Sequence, residues 1–313
     1  GQAKESEDAI TESVMKMTRA VAVAAAICVS GGFAFGAAPG GEAICDQPWI
    51  FYCDNFENHP VGPVNFWPAQ FKSPYWDMGP TQNHSLSGSQ GADGAKALQQ
   101  TYPAGYNYGA GFGYQTLQNG TADFWIRLYV KYSSNFTQSP IGIKPAVRIM
   151  TGSWQDTGRA TLDFMHHMWG SWKPIFQIER TFGGSTMNYN QNVGNVTLTP
   201  GQWYCMEGHF AQGSNGSGTI DGWINGTHVI SYGNVPMHNG NPGPAHELQW
   251  TGHWNCDGES NAPCPQLPQN YKPEEQYRWI DAVAMGTQRI GCLGTPLPPN
   301  VMPPAKPKNL RTQ

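Results

Sequence analysis

The sequence predicts an all-β protein, a two-sheet antiparallel sandwich or jelly roll, and three observations predict it. Apolar and polar residues alternate with period 2 over many short segments, as in strands buried on one face. Gly, Asn and Pro clusters separate these segments, and almost nothing repeats with the helical period. Finally, the 313 residues include 38 Gly and 25 Pro, with 12% aromatic and only 13% charged residues. That length suffices for one large β domain with its own core.

Taken in order, residues 1–37 read as an extension and an export signal. A polar, acidic stretch (1–14) precedes Lys16, Arg19, an apolar run from Ala20 to Val29, and the small residues Ala34 and Gly36. The run is too short to span a bilayer as a mature helix, so no stable membrane insertion is expected. The β domain is expected over 38–292. The Pro-rich end, 293–313, reads as a tail or linker. A net charge of -4 excludes general affinity for nucleic acid or anionic membranes.

Leaving aside Cys28 in the apolar run, six cysteines remain: Cys45, Cys53, Cys205, Cys256, Cys264 and Cys292. An even number in an exported chain points to disulfides. Cys256 and Cys264 read as a locally stapled loop, and Cys45 or Cys53 with Cys292 as a tie between the chain ends.

The clearest strands are 123–132, 144–150, 161–169, 173–181, 203–210, 218–226, 228–233 and 278–291, with Asn225-Gly226 as a hairpin turn. Sorting each strand by face separates core from function. Phe124, Ile126, Leu128 and Val130 oppose Trp125, Arg127, Tyr129 and Lys131; Val147 and Ile149 oppose Arg148. Leu162, Phe164 and Met168 oppose Asp163 and His167, while Phe176 and Ile178 oppose Gln177 and Glu179. In 203–210, Tyr204, Met206 and Phe210 oppose Trp203, Cys205, Glu207 and His209. Taken as one face, the polar set mixes Arg, Lys, His, Gln, Glu, Tyr and Trp, a mixture suited to a saccharide groove.

The segments "FYCDNFENHPVG", "FWIRLYVKYSSNF", "GQWYCMEGHF", "GSGTIDGWINGTHVI" and "IDAVAMGTQRIG" resemble the concanavalin-A-like jelly rolls of polysaccharide lyases, such as alginate and glucuronan lyases. Laminin-G-like lectin domains share this framework. The resemblance covers about residues 50–292 and implies an extracellular, anionic polysaccharide as partner. It also implies removal of the proton α to a uronate carboxylate and expulsion of the 4-linked sugar. Arg148 or Gln177 would then neutralise the carboxylate, His167 or His209 would take the proton, and Tyr189 would donate one. Substrate binding would fall to Trp125, Arg127, Tyr129, Lys131, Glu179, Trp203 and Glu207. The chain has Gln177-Ile178-Glu179 where alginate lyases of this fold carry Gln-Ile-His. No cofactor is expected for catalysis. A structural calcium is implied between the first and last strands, with Asp54, Glu57 and Asp281 as ligands.

Three other functions share this sequence. A non-catalytic sugar-binding module would use Trp125, Tyr129 and Trp203 as its platform. A glycoside hydrolase would need two facing carboxylates, and Glu179 and Glu207 would have to come together across strands to supply them. An extracellular structural protein would use the Gly/Pro-rich loops for assembly.

Overall fold

The computed structural model describes residues 42–64, 83–105, 112–137, 147–151, 160–166, 172–180, 186–213, 217–238, 240, 242–252 and 272–294. The expected signal, the extension, the Pro-rich tail beyond 294, the Cys256–Cys264 loop and His167 lie outside these residues. No described helix is long and apolar enough to cross a membrane.

The alternation over 123–132 becomes one ten-residue strand, β6 (Asp123–Tyr132), with Phe124, Ile126, Leu128 and Val130 fully buried. Before it come a 3-10 turn (Ala43–Asp46), β1 (Ile50–Asp54), β2 (Gly62–Pro63), β3 (His84–Ser87), β4 (Ala97–Tyr102) and β5 (Phe112–Thr116). After it come β7 (Val147–Thr151), β8 (Ala160–His166), β9 (Ile175–Arg180), β10 (Thr186–Tyr189) and β11 (Trp203–Ala211). The chain continues through β12 (Gly218–Ile224), β13 (Thr227–Val235), β14 (Ala245–Thr251) and β15 (Gln276–Gly286).

These strands form two antiparallel sheets. The large one runs β13-β12-β11-β6-β15-β4-β3-β2, with β1 also paired to β15; the small one runs β10-β9-β8-β7-β14-β5. Their inner faces make one continuous core. Phe210 of β11 packs against Phe124 at 5.4 Å on its own sheet and against Phe176 of β9 at 5.1 Å on the other. A Cβ at Gly208 would come 2.4 Å from the Phe164 ring. Glycine at this mid-strand position therefore lets the sheets approach. Asn225 (φ 48) and Gly226 (φ 79) make the expected hairpin, both in the left-handed region that a type I′ turn requires.

β15 organises the large sheet. It pairs with β6 along one edge, while its other edge pairs first with β4 and then with β1. The changeover is a register shift between Asp281 and Ala284, where Ala282 adopts φ 46. The expected tie from Cys45 or Cys53 to Cys292 is corrected. Cys45 joins Cys53, and Cys292 joins Cys205 across 87 residues. The 3-10 turn folds back on β1 and brings the first pair together. Cys205, on the outer face of β11, instead meets the segment that follows β15.

Candidate functional site: a polar row across the small sheet

The structure divides the single polar face read from the sequence into two. Trp125, Arg127, Tyr129 and Lys131 on β6, and Trp203, Glu207 and His209 on β11, belong to the large sheet. Arg148, Gln177 and Glu179 belong to the small sheet, whose outer face points the opposite way. His209 therefore does not share a face with Arg148 and Gln177.

On the large sheet the expected saccharide contacts are fastenings. Glu207, 1% exposed, accepts hydrogen bonds from Arg289 Nη2 at 3.0 Å and from the Gly291 amide at 2.8 Å. The Tyr129 hydroxyl accepts one from the Leu293 amide at 2.7 Å. Together with the Cys205–Cys292 bond, these contacts strap residues 289–293 across the sheet. Arg127 is also buried, donating from Nε to the Ala282 carbonyl at 3.0 Å and pairing with Glu42 at 2.5 Å. Burial raises the pKa of Glu42 despite that pairing.

The aromatic rings of this face engage one another. Trp125 stacks on His209 at 4.3 Å and on Trp223 at 5.2 Å, and Arg289 lies 4.4 Å over Trp223. His209 is held by Asp123 at 2.8 Å. Lys131 lies 5.2 Å from the Trp203 ring and 4.9 Å from Trp279, and donates to Gln90 at 2.7 Å. Burial lowers the pKa of this lysine.

The small sheet carries a different pattern. Its register sets Tyr114, Gln249, Arg148, Asp163, Gln177 and Asn188 in one row, each on a neighbouring strand. Val147, Ile149, Phe176, Ile178, Leu248 and Trp250, the flanking residues of that row on three strands, are buried in the core. Alternation therefore turns Gln249, Arg148 and Gln177 outward. Arg148 Nη2 donates to Glu179 Oε1 at 3.2 Å, and Gln249 Nε2 to Glu247 Oε1 at 2.6 Å. Gln177, 5% exposed, donates through Nε2 to Asn188 Oδ1 at 2.8 Å. Its Oε1 is buried without a hydrogen-bond partner, which is unusual for a buried polar atom. Turning both amides over preserves the Gln177–Asn188 bond and presents the N–H₂ edge of Gln177 instead. In either orientation one polar edge of the buried amide is left without a partner.

Tyr189 is corrected as a site residue. It pairs with Phe176, packs 4.8 Å from Tyr232 and joins the core. Asn188, one position earlier, takes the outward place. The sequence reading passed over Asn188, Gln249 and Glu247. The alternation of "HELQWT", with Leu248 and Trp250 inward, carried the signal for the last two.

Two clusters of metal-type donors occur among the described residues: Glu42 with Cys45 and Cys53, and Glu207 with Cys205 and Cys292. In each, the disulfide removes the thiolates that would bind a metal.

No protein-family model matches the chain, and no curated protein matches it by sequence. Solved structures do. Alginate lyase Aly36B superposes with a TM-score of 0.50 at 18% identity, covering 76% of this chain and 97% of its own. A substituted form of that enzyme, in complex with alginate trisaccharide, gives 0.50 at 18% identity over 76% and 98%. An endo-β-1,4-glucuronan lyase from the fungus Trichoderma reesei gives 0.47 at 14% over 73% and 94%. The chain thus has the jelly-roll fold of polysaccharide lyases.

Proposed function

We propose that the protein is a secreted polysaccharide lyase that cleaves a uronate-containing polymer on the outer face of the small sheet. One observation carries this reading: Arg148, Gln177, Asn188 and Gln249 stand in register on that face, and the buried Gln177 amide keeps one edge without a partner. Guanidinium and amide groups are what a uronate carboxylate needs when charge builds up on it during removal of the α proton. The proton leaves the carbon α to the carboxylate, a C=C bond forms there, and the bond to the 4-linked oxygen breaks. His167, next in sequence after the last residue of β8, is the base in this reading. Because Tyr189 lies in the core, the leaving oxygen takes its proton from another group. Tyr114, in register with Gln249, is the tyrosine that the backbone brings to the row. Two disulfides fit an oxidising, extracellular setting.

A second reading, binding without cleavage, is favoured by the Arg148–Glu179 ion pair, which already neutralises the guanidinium. The test is near-ultraviolet absorbance of the protein mixed with alginate, glucuronan and pectate. A rise from the unsaturated uronate product on any of them supports the lyase. Retention on a polysaccharide gel with no rise on any polymer leaves the binding module.

A further inference from the structure

Asp54, Glu57 and Asp281 were expected to clasp a calcium ion between the first and last strands, and the geometry of their oxygens does not fit one. Asp54 Oδ1 accepts from the Phe56 amide at 2.7 Å, and its Oδ2 contacts His59 Nε2 at 3.0 Å. Glu57 Oε1 accepts from the Ala95 and Lys96 amides at 2.8 and 2.6 Å. Asp281 Oδ2 accepts from the Ala92 and Asp93 amides at 2.7 and 2.9 Å, and its Oδ1 from the Ala282 amide at 2.6 Å. Calcium takes six to eight oxygens with lone pairs directed at it. Here each carboxylate already receives N–H donors, most of them from the loop 90–96.

The same loop ends in a lysine. Lys96 Nζ donates to the Glu57 carbonyl at 2.6 Å and to the His59 carbonyl at 2.7 Å, a pair of backbone oxygens of the kind that would face a metal ion. The loop is closed to admit this arrangement. Gln90 and Gly91 amides both reach the Ala95 carbonyl, at 3.0 and 3.1 Å. Gly94, at φ +100, leaves the space in which a Cβ would stand 2.6 Å from Glu57 Oε1. Gly91 leaves room for the Gly94 carbonyl, 2.7 Å from where its own Cβ would be.

We propose that Lys96 is a built-in cation that closes the clasp between the first turn after β1, the loop 90–96 and β15, and that this clasp forms without metal. A covalently attached ammonium needs no capture from solution. The clasp is then indifferent to calcium concentration, whereas a chain relying on the ion would loosen wherever calcium is scarce.

Thermal unfolding and calorimetric calcium titration of the full chain test this. The expected result is a Tm that agrees within about 1 °C in chelator and in millimolar calcium, and no saturable heat of calcium binding. Lys96→Met should lower Tm by roughly 5 °C, and Lys96→Arg, which keeps the charge, by less than half of that. A rise of several degrees in wild-type Tm with calcium, or a saturable heat, overturns the proposal. So does a Lys96→Met protein that unfolds at the wild-type temperature. If Lys96→Met does not fold, the wild-type titration still decides.

Discussion

Glu207→Ala separates the two faces of the sandwich most cleanly. Glu207 is buried at 1% side-chain exposure and holds Arg289, exposed at 36%, together with the Gly291 amide. Removing the carboxylate strands a partly buried amide donor, a loss of about 1 kcal/mol, and breaks a charge-assisted contact. Discounted for the exposure of Arg289, that contact contributes another 1–2 kcal/mol or so. The sum of roughly 2–3 kcal/mol corresponds to a Tm drop of about 5–10 °C for a domain of this size. Glu207→Gln keeps the volume and one acceptor oxygen and should lose about half as much. Calorimetry with the disulfides intact measures the drop, and polysaccharide cleavage well below the Tm measures function. The prediction is a clear loss of stability with near wild-type cleavage. A Tm within about 1 °C of wild type would refute the fastening role, and lost cleavage in folded protein would return Glu207 to the substrate groove.

Two further outcomes follow from the same geometry. Opening Cys205–Cys292 by Cys292→Ser frees an 87-residue separation, and Cys53→Ser frees one of 8. Loop entropy sets the costs at about 4–5 and 2–3 kcal/mol, so unfolding in urea should rank Cys292→Ser well below Cys53→Ser. Equal midpoints would show that the longer bridge over β11 adds no more than the short one and would refute the ranking. Asp281 supplies a pH signature, because desolvation by burial pushes its carboxyl up to about 7. The folded state holds this proton where the unfolded chain has released it. The contribution is therefore full below about pH 4 and lost as pH rises through 7, on the order of 4 kcal/mol in all. Urea unfolding from pH 4 to 8 should show this fall in wild type and a flatter profile in Asp281→Asn, and parallel profiles would contradict it.

The alternation along each strand was legible in the sequence, and the facing assignments for β6 and β11 hold residue by residue. Sheet membership was not legible. Period 2 says which side chains of one strand share a face, but the partners of that strand come from distant segments. β6 lies between β11 and β15, and β7 lies between β8 and β14. Without those pairings, Arg148 and His209 read as neighbours although the core lies between them. Tyr189 misled for a related reason: β10 is four residues long, and "TMNY" alternates too briefly to show that tyrosine, not asparagine, faces inward. The amides that face Asp54, Glu57 and Asp281 were not legible, because carboxylates look alike in sequence whether a metal or a row of amides faces them. In "GADGAK", the glycines and the lysine were the local clue.

The most direct test compares initial rates of near-ultraviolet absorbance rise for wild type, Arg148→Ala, Gln177→Ala and His209→Ala on whichever uronate polymer the wild type cleaves. If the small sheet carries the chemistry, the first two variants should lose about a hundredfold or more, while His209→Ala should stay within about twofold of wild type. The reverse pattern, with His209→Ala inactive and Arg148→Ala and Gln177→Ala unimpaired, would place the reaction on the large sheet and contradict the assignment.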